Sequence, residues 1–177
     1  MKKRIYLLLL WPMISGDSFA VINDFGHGKL YMRGSIIETA CNIDMNSRNQ
    51  ILDFRHISMG KLRGNNHKTE SIPFEIKFIN CNLERKESRK PNWKNFKITF
   101  DGNSDGNNLI NHGSAKGIGA AIYDQDFEKN TLGTASHAYS IKPGEMSITY
   151  YLVIEKNNEK LSTGDLFFSV RYKVDYF

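Results

Sequence analysis

Apolar and polar residues alternate with a period of two through much of this chain, and that pattern leaves few folds open. Phe74, Ile76 and Phe78 are interleaved with Glu75 and Lys77, and Phe96, Ile98 and Phe100 with Lys97 and Thr99. Ile148, Tyr150, Leu152 and Ile154 alternate in the same way with Ser147, Thr149 and Tyr151. A helix would spread such residues around its circumference, whereas a strand turns one set to a core and the other to water. Weaker runs cover Gln50 to Ser58, Ile118 to Asp124 and Ser136 to Ile141. Turn-rich pieces such as Gly64-Asn65-Asn66 and Lys142-Pro143-Gly144 separate them. The pattern contains no long amphipathic helix and no internal repeat. Several short strands in succession predict an all-β chain built as an antiparallel β-sandwich.

The first twenty residues follow different rules. Lys2, Lys3 and Arg4 precede an apolar run from Ile5 to Ile14, and Ser18-Phe19-Ala20 has the small-x-small form that signal peptidase cuts. The run is too short to cross a bilayer, and no later segment approaches the ~18 apolar residues that a membrane helix needs. Residues 1–20 therefore read as a secretory signal peptide, with the mature protein soluble once exported. Losing Lys2, Lys3, Arg4 and Asp17 lowers the formal net charge from +5 to +3. Lys and Arg are scattered among Asp and Glu except around Glu84 to Lys90, which reads as a solvated loop, so nucleic acid is not an expected partner. The residues after Ala20 suffice for one domain, and no Pro- or Ser-rich linker divides them.

Two cysteines remain, Cys41 and Cys81, each at the end of a strand-like run. In a chain bound for an oxidising compartment they are expected to form a disulfide. Closing that loop stabilises a fold by roughly 4 kcal/mol in the chain-entropy account. Two isolated cysteines without paired histidines lack zinc-ligand spacing, so neither a metal nor a cofactor is expected.

The two ends of the patterned region carry the most information. Phe168, Val170, Tyr172, Val174 and Tyr176 form an unbroken apolar series with Ser169, Arg171, Lys173 and Asp175 between them, and the sequence stops at Phe177. So apolar a strand belongs inside a sheet, yet no residues remain to flank it; one edge is expected to be open. At the other end, Leu30, Met32, Gly34 and Ile36 alternate with Tyr31, Arg33 and Ser35, and read as a second edge strand. Val21 to Gly28, with Asn23, Asp24, Gly26 and Gly28, looks flexible enough that the strand could swing away from its own domain, but on pattern alone an ordinary first strand with a frayed terminus is the favoured reading.

These residues resemble the pilin family of chaperone–usher fimbriae, over essentially all of the chain after the signal segment. The resemblance is carried by Gly28 to Ile37 leading into Ala40-Cys41, by Phe78-Ile79-Asn80-Cys81-Asn82 and by Ile98-Thr99-Phe100-Asp101-Gly102. It continues through Ala115-Lys116-Gly117-Ile118-Gly119 and the ending Tyr172 to Phe177. It implies an incomplete immunoglobulin-like antiparallel β-sandwich that lacks its last strand and is completed by donor-strand exchange. The implied layout is a signal peptide at 1–20, an amino-terminal extension or donor strand at 21–36 and a pilin domain at 37–177.

Leu30, Met32, Gly34 and Ile36 would be the donated side chains, with Gly34 at a constricted pocket. Phe168, Val170, Tyr172, Val174 and Tyr176 would line the acceptor groove, with the carboxylate of Phe177 anchored by a chaperone. The implied partners are a periplasmic pilus chaperone, an outer-membrane usher and neighbouring subunits, and the implied destination is a cell-surface fimbrium reached through the periplasm. Each large apolar side chain left in water forgoes roughly 1.5–3 kcal/mol, so four empty pockets approach the ~5–15 kcal/mol stability of a whole domain. Ala115-Lys116-Gly117-Ile118 and Val174-Asp175-Tyr176 look most like a terminating or minor subunit of P-type pili, with a major pilin as the alternative.

Two motifs in the chain imitate other chemistry. Asp101-Gly102-Asn103-Ser104-Asp105-Gly106 begins like a calcium-binding loop, but the twelfth position is His112 where a bidentate Glu is needed. Gly102-x-Ser104-x-Gly106 spells a hydrolase elbow, which requires a helix after the serine; Asn107, Asn108 and Gly113 give none. His27, His56, His67, His112 and His137 are dispersed, and no pairing with an acid is read from the sequence. No catalytic residue is expected. The remaining alternative is a self-contained secreted sandwich that binds a carbohydrate or protein, with Tyr31, Trp93, Tyr139 and Tyr151 as candidate contact residues.

Overall fold

Alternation becomes strand wherever a neighbouring segment completes the ladder of main-chain hydrogen bonds. The computed structural model describes residues 28–34, 36–63, 71–86 and 89–177. The signal segment 1–20, the stretch to His27, and Gly64-Asn65-Asn66 lie outside the described residues. The chain divides into two units, one ending at Ile36 and one from Ile37 to Phe177.

In the first unit, Leu30, Tyr31, Met32 and Ile36 are exposed, and the described residues belong to no helix or strand. The edge strand expected at Leu30 to Ile36 is not formed, because its alternating side chains have no neighbouring backbone to pair with among the described residues of this unit.

The second unit is built from β1 (Asn42–Ile43), α1 (Met45–Arg48), α2 (Met59–Arg63), β2 (Ser71–Cys81) and β3 (Asn95–Gly102). They are followed by β4 (Ser104–Asp105), β5 (Asn108–Ile110), β6 (Ile118–Tyr123), β7 (Tyr139–Ser140), β8 (Gly144–Lys156) and β9 (Val170–Tyr176). One sheet runs in the order β1-β2-β8-β6-β5-β4 and the other in the order β7-β3-β9, with every pairing antiparallel. Rings from the two sheets meet in the core: Phe78 of β2 lies 4.9 Å from Phe96 of β3, and Tyr150 of β8 lies 4.8 Å edge-on from Phe100 of β3. The hydroxyl of Tyr150 reaches that of Tyr139 on β7 at 3.1 Å, so the polar tip of a fully buried side chain is satisfied across the sandwich.

Two of the weaker strand expectations change. Gln50 to Ser58 forms no strand: Leu52, Phe54 and Ile57 still turn to the core, but Arg55 takes a positive φ of 50° and its N–H is held by Asp53. That turn breaks the extended path a ladder requires. Ser136 to Ile141 contracts to Tyr139–Ser140, because Ser136 is held to Ile98 through its own backbone and hydroxyl instead of by continuous pairing.

Candidate functional site

The candidate site is the free edge of β9. Its inner face pairs directly with that of β3, with Tyr176 opposite Phe96, Val174 opposite Ile98 and Tyr172 opposite Phe100. The β3 residues are at most 1% exposed, while Val170, Tyr172, Val174 and Tyr176 are only half-buried although they pack against the same core. Partners in one register on one face would be buried alike if each strand had a neighbour on both sides. β3 has β7 and β9, whereas β9 has β3 alone among the described residues. Phe168, also half-buried, precedes the strand, and Phe177 follows it, donating its N–H to the Asn95 carbonyl and accepting from the N–H groups of Lys94 and Asn95.

Facing the free edge is a wall formed by Cys41 to Gln50. The Cys41–Cys81 disulfide ties the start of this wall to the end of β2, and both cysteines are buried. Asp44 caps α1 by accepting from the Asn46 N–H, and the buried Ser47 hydroxyl accepts from the Lys77 N–H of β2. No ladder joins this wall to β9. Two tyrosine hydroxyls span the space instead, Tyr172 donating to the Ser47 carbonyl at 2.8 Å and Tyr176 to the Cys41 carbonyl at 3.3 Å. Adjacent strands sit ~4.8 Å apart and bond through their backbones, whereas these side-chain bridges join the edges of two different sheets and leave the second side of β9 without a ladder. Burial pushes the Tyr176 hydroxyl up to about 12, with the neighbouring Tyr172 adding to the effect, and burial also raises Tyr172.

The start of β9 is fixed by a contact that sequence reasoning missed. Asn111 accepts from the N–H groups of Gly113 and Phe167 and donates to the carbonyls of Ala115 and Asp165, so one side chain stitches 111–115 to 165–167. Close by, Gly117 has a φ of +81°, and a Cβ there would lie 2.6 Å from the Leu161 Cα. Glycine is needed both for the conformation and for the approach. The stretch Ala115 to Gly119 thus has a structural reason, seating the segment that delivers the chain into β9.

The decoy motifs resolve into ordinary structure. Ser104 lies in the β4–β5 hairpin opposite Leu109, with no helix following it. His137 Nδ1 does come within 3.8 Å of Asp124 Oδ2, an acid pairing that was not read from the sequence. The other oxygen of that buried aspartate accepts from the Asp126 and Glu128 N–H groups, so it organises a loop. Of the four candidate contact aromatics, Trp93 and Tyr139 are buried, Tyr151 stacks on Phe127 at 4.8 Å, and Tyr31 alone is fully exposed.

The family model for fimbrial proteins matches residues 30–174, nearly the whole of the patterned region and of the open-edged sandwich. The chain belongs to the fimbrial protein family. This fimbrial chain is similar to the probable major fimbrial subunit LpfA of Escherichia coli O157:H7, 29% identical with 75% of the chain and 71% of that protein covered. It is also similar to the PAP fimbrial minor pilin protein of Escherichia coli, 27% identical over 84% of the chain and 77% of that protein. Among solved structures it resembles the P pilus rod subunit PapA, with a TM-score of 0.66 at 17% identity, covering 78% of the chain and all of that one. The immunoglobulin-like antiparallel sandwich of the pilins is thus the fold of this fimbrial protein.

Proposed function

We propose that this fimbrial protein is a structural subunit of a chaperone–usher pilus whose free β9 edge is closed by a strand from another chain. The observation that supports it most directly is the half-burial of Val170, Tyr172, Val174 and Tyr176 opposite β3 residues that are fully buried. A strand laid along that edge satisfies the unpaired backbone groups and lets alternate side chains complete the core, the mode of β-strand addition. A periplasmic chaperone supplies it first, during passage through the periplasm, and a neighbouring subunit's extension supplies it in the fibre after handover at the usher. Leu30, Met32, Gly34 and Ile36 are this chain's own contribution to the next subunit. They are apolar or small, alternate in sequence, and the described ones are exposed.

Within the fibre we assign a terminating or minor position. Relatives named for major and for minor subunits match about equally well, so this assignment rests on Ala115-Lys116-Gly117-Ile118 and Val174-Asp175-Tyr176 alone.

Periplasmic co-expression tests the reading. With a cognate chaperone the chain is recovered as a one-to-one soluble complex, and without one it is degraded or aggregated. A variant lacking residues 21–34 still binds the chaperone but no longer joins the subunit that its extension would complete. A lone, monomeric mature chain that melts as cooperatively and at as high a temperature as the chaperone-bound form would sink the proposal. The terminal position is tested separately: a donor-strand peptide from an adjacent subunit type should displace chaperone from an ordinary pilin but leave it in place on this chain.

A further inference from the structure

Two sets of charges decide which chain can accept this subunit's extension. In the alternation of the extension, Leu30, Met32, Gly34 and Ile36 occupy one face, and Lys29, Tyr31, Arg33 and Ser35 the other. A strand added beside β9 with its apolar set inward puts its second set on the outer face of the β7-β3-β9 sheet. In this chain's own domain that face already carries Lys97, Arg171 and Lys173, and its two acids are engaged. Asp101 pairs with Arg171 and Asp175 with Lys173, each at 3.0 Å. Directly opposed and diagonal positions on adjacent strands lie ~4.5–8 Å apart, within the ~10 Å screening length of moderate salt. Lys29 and Arg33 would join a face with no unpaired acid to receive them.

The end of the domain where the chain enters points the same way. Ala40 accepts from the Asn82 N–H, and Glu38 accepts from the Lys86 N–H, so residues 38–40 are held beside the 82–86 segment. The fold brings Lys86, Lys94 and Lys142 around this end, with Lys94 O bonded to the Ile141 N–H, and none of the three forms an ion pair among the described residues. The acids beside them are Glu38 and Glu84, with Glu145 engaged by Lys77 and the Phe177 terminal oxygen held by the Lys94 and Asn95 N–H groups. The opposite end is mixed, with Asp105, Glu159 and Asp165 interspersed with Lys116 and Lys160.

We infer that the acceptor of this extension is a different subunit, one presenting an acidic outer face beside its own final strand and an acidic end toward this chain's basic one. The inference rests on the donor-strand reading above and narrows it: a subunit that polymerises with itself must match its own extension, and this one does not. Like charges on adjacent strands disfavour the self-pairing, and complementary charge selects the partner.

The test is a tethered pair of fusions made on the full mature chain. Each carries a second copy of residues 28–37 after Phe177 through a short flexible linker, so that the added strand is present as the domain folds. In one the copy is wild type, and in the other it carries Lys29→Glu and Arg33→Glu. The acidic copy should melt about 2–4 °C above the wild-type copy at low salt, with the difference shrinking in 0.5 M NaCl. A wild-type copy that melts as high as the acidic one, or higher, overturns the inference while leaving donor-strand completion intact. If neither copy raises the melting temperature above that of the chain without one, the donor-strand reading fails and this inference with it.

Discussion

β8 and β9 carry the same alternation, yet the fold treats them differently. β8 has β2 on one side and β6 on the other, and its inner residues Ile148, Tyr150, Leu152 and Ile154 are all buried. β9 has one neighbour, and its equally apolar inner residues remain half-buried. Period-two patterning tells which face turns inward, because it follows from backbone geometry. It does not tell how many neighbours a strand has, and burial depends on that number. A strand with the composition of β8 and the environment of β9 is therefore a core position waiting for a partner.

The sharpest way to break the comparison is to remove one aromatic from each strand. Tyr150→Ala takes out a fully buried ring that packs on Phe74 and Phe100 and donates to Tyr139. It should cost ~3–5 kcal/mol whether or not the edge is covered. Tyr172→Ala should cost clearly less in the chain stabilised only by its own sequence, and approach the Tyr150 value once chaperone or a donor strand covers it. Chemical denaturation of the chaperone-bound and tethered forms measures both, and equal costs for Tyr172 in the two states would mean that nothing lies over it.

Losing the Cys41–Cys81 disulfide should be nearly as damaging, about 4 kcal/mol for a loop of this length, because it anchors the wall that faces β9 to the closed sheet. Cys41→Ser with Cys81→Ser should lower the yield of the chain far more than any surface change. The loss should be partly recovered when the edge is occupied, a contrast that thermal melts of the tethered form with and without the bond will show.

What the sequence made legible follows the same division. β2, β3, β8 and β9 were readable from alternation because their side chains sort by face, the weaker run at β6 is buried on both faces, and the unusual last strand was readable because it was too apolar for an edge. Gln50 to Ser58 was misread, since Leu52, Phe54 and Ile57 alternate well enough for burial while Arg55 leaves the extended region. Trp93 and Tyr139 were offered as surface residues because burial of an isolated aromatic is set by segments distant in sequence. Trp93 lies beneath the Arg85 guanidinium, at 3.4 Å, and against Tyr176. The Asn111 hub had no local signature at all, since its partners Asp165 and Phe167 lie more than fifty residues away.

A smaller effect tests the bridges across the open edge. Tyr172→Phe and Tyr176→Phe each remove a hydroxyl donor and should cost about 1 kcal/mol in the chain without a donor strand. They should cost little in the completed domain if the incoming strand displaces them. The pH dependence gives a second reading of the same contacts. Tyr176 titrates near 12 in the fold against ~10 unfolded, so the neutral hydroxyl's contribution is intact below pH 10 and lost as pH rises from 10 toward 12. Burial raises Tyr123, Tyr139, Tyr150 and Tyr172 as well, so Tyr176→Phe should remove only its own share of that alkaline loss.

The smallest expected change lies on the closed side, at Glu155 of β8. Burial opposes its ionisation, but the Lys129 ammonium at 2.7 Å and the Tyr123 hydroxyl outweigh that and hold its carboxyl below the usual carboxylate range. A depressed folded value means that the contribution is present above the unfolded pKa near 4.3 and disappears as pH falls through the lower folded one. Glu155→Gln should therefore reduce the acid sensitivity of the melt between about pH 5 and 3 and leave it unchanged above pH 6. Because β8 is paired on both sides, that acid profile should be the same with and without a strand along β9, while the share of the alkaline loss that Tyr176→Phe removes should change. If both profiles shifted together on covering the edge, the two strands would not be independent, and the open edge would reach further into the sandwich than its half-buried face indicates.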